Sequence, residues 1–248
     1  MTIQRRRRIV HTRRTGVGVT LVAAISFLAG LTDAIGLQLS GNFVSFMTGN
    51  TTRAAISFEQ GDVMHAIVLV GAIATFVAGN AVGIIIAHVF DRRIFAVLTA
   101  VGMLLVLAAT LGSPEFGILR FNVVVLAMGV VNASVEHVEG LPVGLTYVTG
   151  ALSRLGRGIG RTIMGDRSFA WTVQIVPWLG MATGALTGAA LAIGLPGQAL
   201  AVAAGLTLVF AFVTLFIPRP LQHRYNQHPA GDRRAPSAAP PRPVDPAR

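Results

Sequence analysis

The sequence predicts an all-α polytopic membrane protein of about six transmembrane helices, built as a 3+3 inverted repeat with two re-entrant or broken-helix segments. Three observations predict it. Just over half of the 248 residues are hydrophobic and only 12% are charged, against about a quarter charged in an ordinary soluble domain. A polar motif is written twice, with offsets of 99 to 101 positions between its copies. And the arginines collect in alternate connections between the apolar runs.

Apolar runs long enough to cross about 30 Å of hydrocarbon stand at 16–39, 63–90, 94–112, 121–138, 169–193 and 197–217. Arg5 to Arg8, Arg13 and Arg14 precede the first. A signal peptide opens in the same way, but its apolar part is about 7–15 residues and ends at a cleavage site of small residues. Here the run continues from Gly16 to about Leu39, so a retained first span is expected. Residues 1–15 form an arginine-rich tail, 16–112 and 121–217 the two membrane repeats. Residues 218–248 hold eight of the twelve prolines among arginines and small residues, a composition that cannot bury enough apolar surface to fold. A disordered tail is expected there.

The two tails, Arg92 and Arg93, and the connection with Arg154, Arg157, Arg161 and Arg167 carry 18 of the 20 arginines. The alternate connections carry only Arg53 and Arg120. Positive charge marks the cytoplasmic side, so both termini are expected in the cytoplasm. The net charge of +10 is thus a topology signal, and no nucleic-acid partner is expected. The lipid bilayer is the expected surrounding.

Gly30-Leu-Thr-Asp-Ala34 and Ser45-Phe-Met-Thr-Gly-Asn50 return as Gly129-Val-Val-Asn-Ala133 and Thr146-Tyr-Val-Thr-Gly-Ala151. Downstream, Gly79 and Gly83 match Gly180 and Gly184. Repeats decide architecture. Each half holds three spans, and an odd number of crossings turns the halves in opposite directions, as in many secondary transporters with a site between the repeats. Segments 40–60 and 141–165 are too polar for comfortable spans and too apolar for free loops. Irregular backbone at membrane depth needs protein or a water-filled cavity around it, so short re-entrant or broken helices are expected, with amphipathic surface helices as the alternative.

Asp33 is the one acid well inside a span, about 25 Å along its helix from Gly16. An intramembrane carboxylate is a functional candidate by default, suited to a proton, a coupling cation or a cationic group, unless it caps a helix or is wet from the outer interface. Its repeat mate, Asn132, is uncharged. Thr48, Asn50 and Thr149 offer neutral hydrogen-bonding groups, and Gly49 and Gly150 let backbone approach a ligand; short polar residues beside glycine also suit helix capping. Asn80 either bridges helices or lines a cavity, while the glycine pairs around it suit close packing, within one chain or between copies. Glu136, His137 and Glu139 read as the wet cytoplasmic end of the fourth span, with a proton-relay or metal role as the weaker alternative. No bound metal or cofactor is expected.

The chain has no cysteine, so it has no disulfide framework or thiol nucleophile. It also lacks a phosphate loop, HExxH and GxSxG, and an enzyme is not expected. Leu28 to Gly36, Phe46 to Thr51, Met128 to Ala133 and Leu145 to Leu152 together resemble the YoaK family of bacterial integral membrane proteins, a domain of unknown function, over residues 16–217. The resemblance implies a bacterial inner-membrane location and carries over no substrate or site residue. The expected function is a small-solute transporter or permease with inverted halves. The alternative is a non-transporting scaffold or sensor that recruits a partner through its proline-arginine tail.

Overall fold

Helix α1 (Ile3–Ser40) begins ahead of the first span and carries through it. The computed structural model describes residues 3–132, 137–138, 141–142, 148–167 and 169–217. There follow α2 (Met47–Glu59), α3 (Val63–Val89), α4 (Arg93–Thr110), a 3-10 turn (Pro114–Phe116), α5 (Gly117–Val131), a small hairpin of β1 (His137–Val138) and β2 (Leu141–Pro142), α6 (Val148–Ile163), a second 3-10 turn (Ala170–Gln174), α7 (Ile175–Gly194) and α8 (Ala199–Thr214). The chain is an all-α polytopic membrane protein: Gly16–Ser40, Val63–Val89, Arg93–Thr110, Pro114–Val131 and Trp171–Gly194 are long and apolar enough to cross a bilayer. The sixth expected span is the shorter apolar α8, 16 residues long. The C-terminal segment 218–248 lies outside the described residues.

Local chemistry sets the ends. Gly41, at φ +70°, stops α1, since a left-handed residue after a helix strains any side chain but glycine's least. The two short helices end alike. After α2, Gly61 is left-handed and the Asp62 amide donates to the Ser57 carbonyl; after α6, Gly165 is left-handed and the Asp166 amide donates to the Arg161 carbonyl. Pro177 sits in the first turn of α7, where a missing N–H costs no helical bond.

The fourth span differs from expectation. It starts earlier, at Gly117, and its helix ends at Val131 rather than 138. His137 and Val138 instead pair antiparallel with Pro142 and Leu141. β-branched Val135 and Val138, with Gly140 and Pro142 close behind, favour extended backbone over helix. The reading of His137 as part of the end of that helical span is therefore corrected; Glu136 and Glu139 lie outside the described residues.

The two first spans of the halves, α1 and α5, lie innermost. Nearly every residue from Val123 to Val131 is buried, as are Leu21, Ile25, Leu28, Leu31 and Ile35 of α1. Their partners are exchanged between the halves: α1 packs chiefly on α7, and α5 on α3, while the two last spans, α4 and α8, pack on one another. Both exchanged crossings run through glycine. In one, Gly79 of α3 faces Gly129 of α5, and a Cβ on Gly129 would strike the Phe76 carbonyl. In the other, Gly184 of α7 lies against Phe27 and Leu31 of α1, while Gly30 lies against Met181. Backbones this close leave no room for a side chain, and the contact surface gained is what associates helices where lipid removes the hydrophobic drive. The packing role expected of these glycines holds. Outward, Ile67, Val70, Ile85, Met103, Leu186 and Phe212 are exposed, an apolar belt far larger than a soluble surface tolerates.

Candidate functional site

The connector between α1 and α2 is held in place by side chains. Asp33, on α1 and 9% exposed, accepts from the Val44 amide at 3.0 Å and the Ser45 amide at 2.9 Å through the same oxygen, Oδ1. With the carboxylate ionised such bonds are charge-assisted, roughly twice as strong as neutral ones. They satisfy two amides that no helix supplies with an acceptor. From the far side Asn50 donates through Nδ2 to the Phe43 carbonyl at 2.7 Å, and Arg53 donates to the Gly41 carbonyl. Phe43 and Phe46 meet edge to face at 5.3 Å, with the Arg53 guanidinium 6.0 Å from the Phe43 ring centre. Gly49 lies against the Phe46 ring, where a Cβ would not fit.

A second set of bonds ties this connector to α3. His65 Nδ1 lies 2.9 Å from Ser57 Oγ of α2, and Nε2 lies 3.0 Å from Asn42 Oδ1. The Asp62 carboxylate accepts from the His65 amide at 3.1 Å, capping α3 as a carboxylate at a helix start should. With the Asn42 oxygen as acceptor, His65 carries its proton on Nε2 and accepts the Ser57 hydroxyl on Nδ1. A buried acceptor of this connector is left over: Asn50 Oδ1, on a fully buried residue, has no hydrogen-bond partner among the described residues.

At the end of the bundle where α1 and α4 finish and α5 and α8 begin lies a cavity of about 260 Å³. Gly36, Ser40 and Val44 form one wall, Ser113 and Arg120 another, and Leu200 a third. Val44 belongs to both features, because its amide is one of the two that Asp33 holds.

Residues 21–213 match the family described as "Protein of unknown function (DUF1275)". The chain belongs to the DUF1275 family. It is also 54% identical, over 228 residues, to the UPF0700 transmembrane protein RA0705 of Rhizobium meliloti (strain 1021), covering 92% of this chain and 99% of that one. No solved structure matches. The resemblance seen in the sequence holds at this level: a membrane family without an assigned function.

In this DUF1275 chain the sequence candidates fall into two groups. Asp33, Gly49 and Asn50 come together around the connector, with Thr48 at its exposed edge. Asn132 caps the end of α5, Thr149 is exposed in the first turn of α6, and Gly150 is half-buried beside it; α6 packs on the second 3-10 turn and on α7. Asn80 donates to the Phe76 carbonyl of its own helix at 2.8 Å. His137 is in β1, and Glu136 and Glu139 lie outside the described residues. No group of three histidines or acids able to hold a metal occurs among the described residues.

Sequence reasoning passed over Asn42, Ser57 and His65, which close the connector, and gave Arg120 no role beyond topology. Their signal was weak but present: polar residues packed within a few positions of glycines that end helices.

Proposed function

We propose that the chain is a small-solute secondary transporter or permease of the bacterial inner membrane, working by alternating access between two oppositely oriented halves. The observation that carries this reading is the exchange of partners: the first span of each half crosses the second span of the other at a matched glycine. A duplicated unit of three spans, with its copies related by an axis in the membrane plane, would pack in this way. On the same reading both termini and α6 face the cytoplasm, and the cavity beside Arg120 opens outward. Asp33 is where a coupling proton or cation would act, since it would compete with the Val44 and Ser45 amides and loosen the connector. Asn50, with its unused buried oxygen, is the neutral group best placed to meet a solute.

The scaffold alternative rests on the proline-arginine tail, so truncation separates the two. Proteoliposomes with the full chain, or with a chain ending at Pro218, are compared for uptake of labelled inorganic phosphate and a panel of small organic solutes. Uptake above protein-free liposomes that survives truncation is expected. Absence of uptake from both, with the cellular phenotype erased by truncation, would favour the scaffold.

A further inference from the structure

We infer that the cavity between the ends of α1, α4, α5 and α8 is an oxyanion site, with Arg120 as its cationic ligand. Three observations converge. Arg120 lines the cavity, and its Nε is buried without an acceptor. It makes no hydrogen bond or ion pair with the described residues, unlike Arg53, Arg92 and Arg154, which each reach an oxygen. And Arg120 stands in the first turn of α5, whose start at Gly117, with Ser113 and Pro114 just before it, lines the same space with its positive dipole end.

An arginine with a buried, unmatched donor is costly to leave alone. Here nothing among the described residues neutralises it. Among the described residues no carboxylate lines the cavity, and Glu115, in the adjoining turn, is exposed and unpaired with it. The ligand that satisfies a guanidinium fork, a helix start and the hydroxyl of Ser113 at once is a phosphate or carboxylate group. A cavity of about 260 Å³ lies just below the usual range for drug-sized ligands, about 300–1,000 Å³, so the group belongs to a small solute or to a lipid headgroup reaching in. Because Val44 is both cavity wall and Asp33 partner, an anion here touches the connector directly. The substrate class this gives the transporter is a small oxyanion, and that assignment of a role rests on the reading above.

The test uses the full chain purified in a maltoside detergent, which carries no phosphate. Its melting temperature is followed against potassium phosphate, with potassium chloride at matched ionic strength as reference, and separately against phosphatidylglycerol with phosphatidylethanolamine as reference. A saturable rise with inorganic phosphate identifies a free anion, and a rise with phosphatidylglycerol alone identifies a headgroup. In either case Arg120→Gln should weaken the response about tenfold to a hundredfold, the loss of one charge-assisted contact, and Arg120→Lys should retain part of it. Ser113→Trp fills the cavity from its exposed rim while leaving the Arg120 side chain in place, and should abolish the response even if Arg120→Gln does not fold. Equal responses in wild type and Ser113→Trp, or no response to either probe, would overturn the site. Arg120-dependent binding without uptake in proteoliposomes would instead reject the transporter and keep the site.

Discussion

In the first half, the segment between the inner and second spans is fixed by its own polar side chains: Asp33 takes two connector amides, Asn50 and Arg53 take carbonyls, and His65 bridges Asn42 to Ser57. In the second half, the matching helix α6 is fixed, among the described residues, by one close aromatic contact and two hydrogen bonds to the turn that follows it. Trp171 packs on Gly158 and donates to Thr162 at 3.0 Å, and Arg154 reaches Gln174 at 2.8 Å. Arg154, Arg157 and Arg161 share one face of α6 by their i, i+3 and i+7 spacing, while Leu152, Ile159 and Ile163 are exposed. That is the pattern of a helix lying in a membrane interface. Both halves keep the glycine crossing and the glycine-aspartate helix end. Among the described residues the two halves therefore share this packing and differ in the polar contacts that hold their short helices.

The largest effects should come from breaking what the halves share. Leucine at Gly129 or at Gly184 would occupy space held by a neighbouring backbone, and overpacking of this kind costs about 1–3 kcal/mol or more. Gly129→Leu and Gly184→Leu should both lose most of their monodisperse yield on size-exclusion chromatography. Gly71→Leu, at a position with open space around it, should behave as wild type. A large loss in one crossing only would mean that the two are not equivalent.

Further effects should sharpen what the halves do not share. Asp33→Ala strands two buried amides at about 1–3 kcal/mol each, whereas Asp33→Asn keeps an oxygen able to accept both and should recover much of the loss. Thr149→Ala, at an exposed position of the second half, should stay within about 0.5 kcal/mol of wild type. Thermal unfolding in detergent ranks the three, and a Thr149→Ala variant as unstable as Asp33→Ala would refute the asymmetry.

Much of this was legible in the sequence, because lipid imposes long apolar runs and small residues where helices cross. The spans and the glycine crossings follow from that. The end of α5 was not legible: apolar periodicity continues past Asn132, and only Gly140 and Pro142 hint that the backbone turns extended. Asp33 was visible as an anomaly, but its use was not, since its partners are main-chain amides eleven and twelve positions away and carry no side-chain signature. Arg120 was hidden for the opposite reason. Its interest lies in contacts it lacks, and those depend on how the turn at 112–117 closes over α1.

That the two halves enter the membrane from opposite sides is the central claim, and the absence of cysteine makes it directly testable. Gln60 and Met164 are both exposed, the latter 81%, at the ends of the two short helices. The single variants Gln60→Cys and Met164→Cys, in the full chain in intact cells, are treated with a membrane-impermeant thiol reagent before and after permeabilisation. Oppositely oriented halves predict labelling of the Gln60→Cys variant in intact cells and of the Met164→Cys variant only after permeabilisation. Labelling of both before permeabilisation, or of both only after it, would place α2 and α6 on one side and contradict the inverted arrangement.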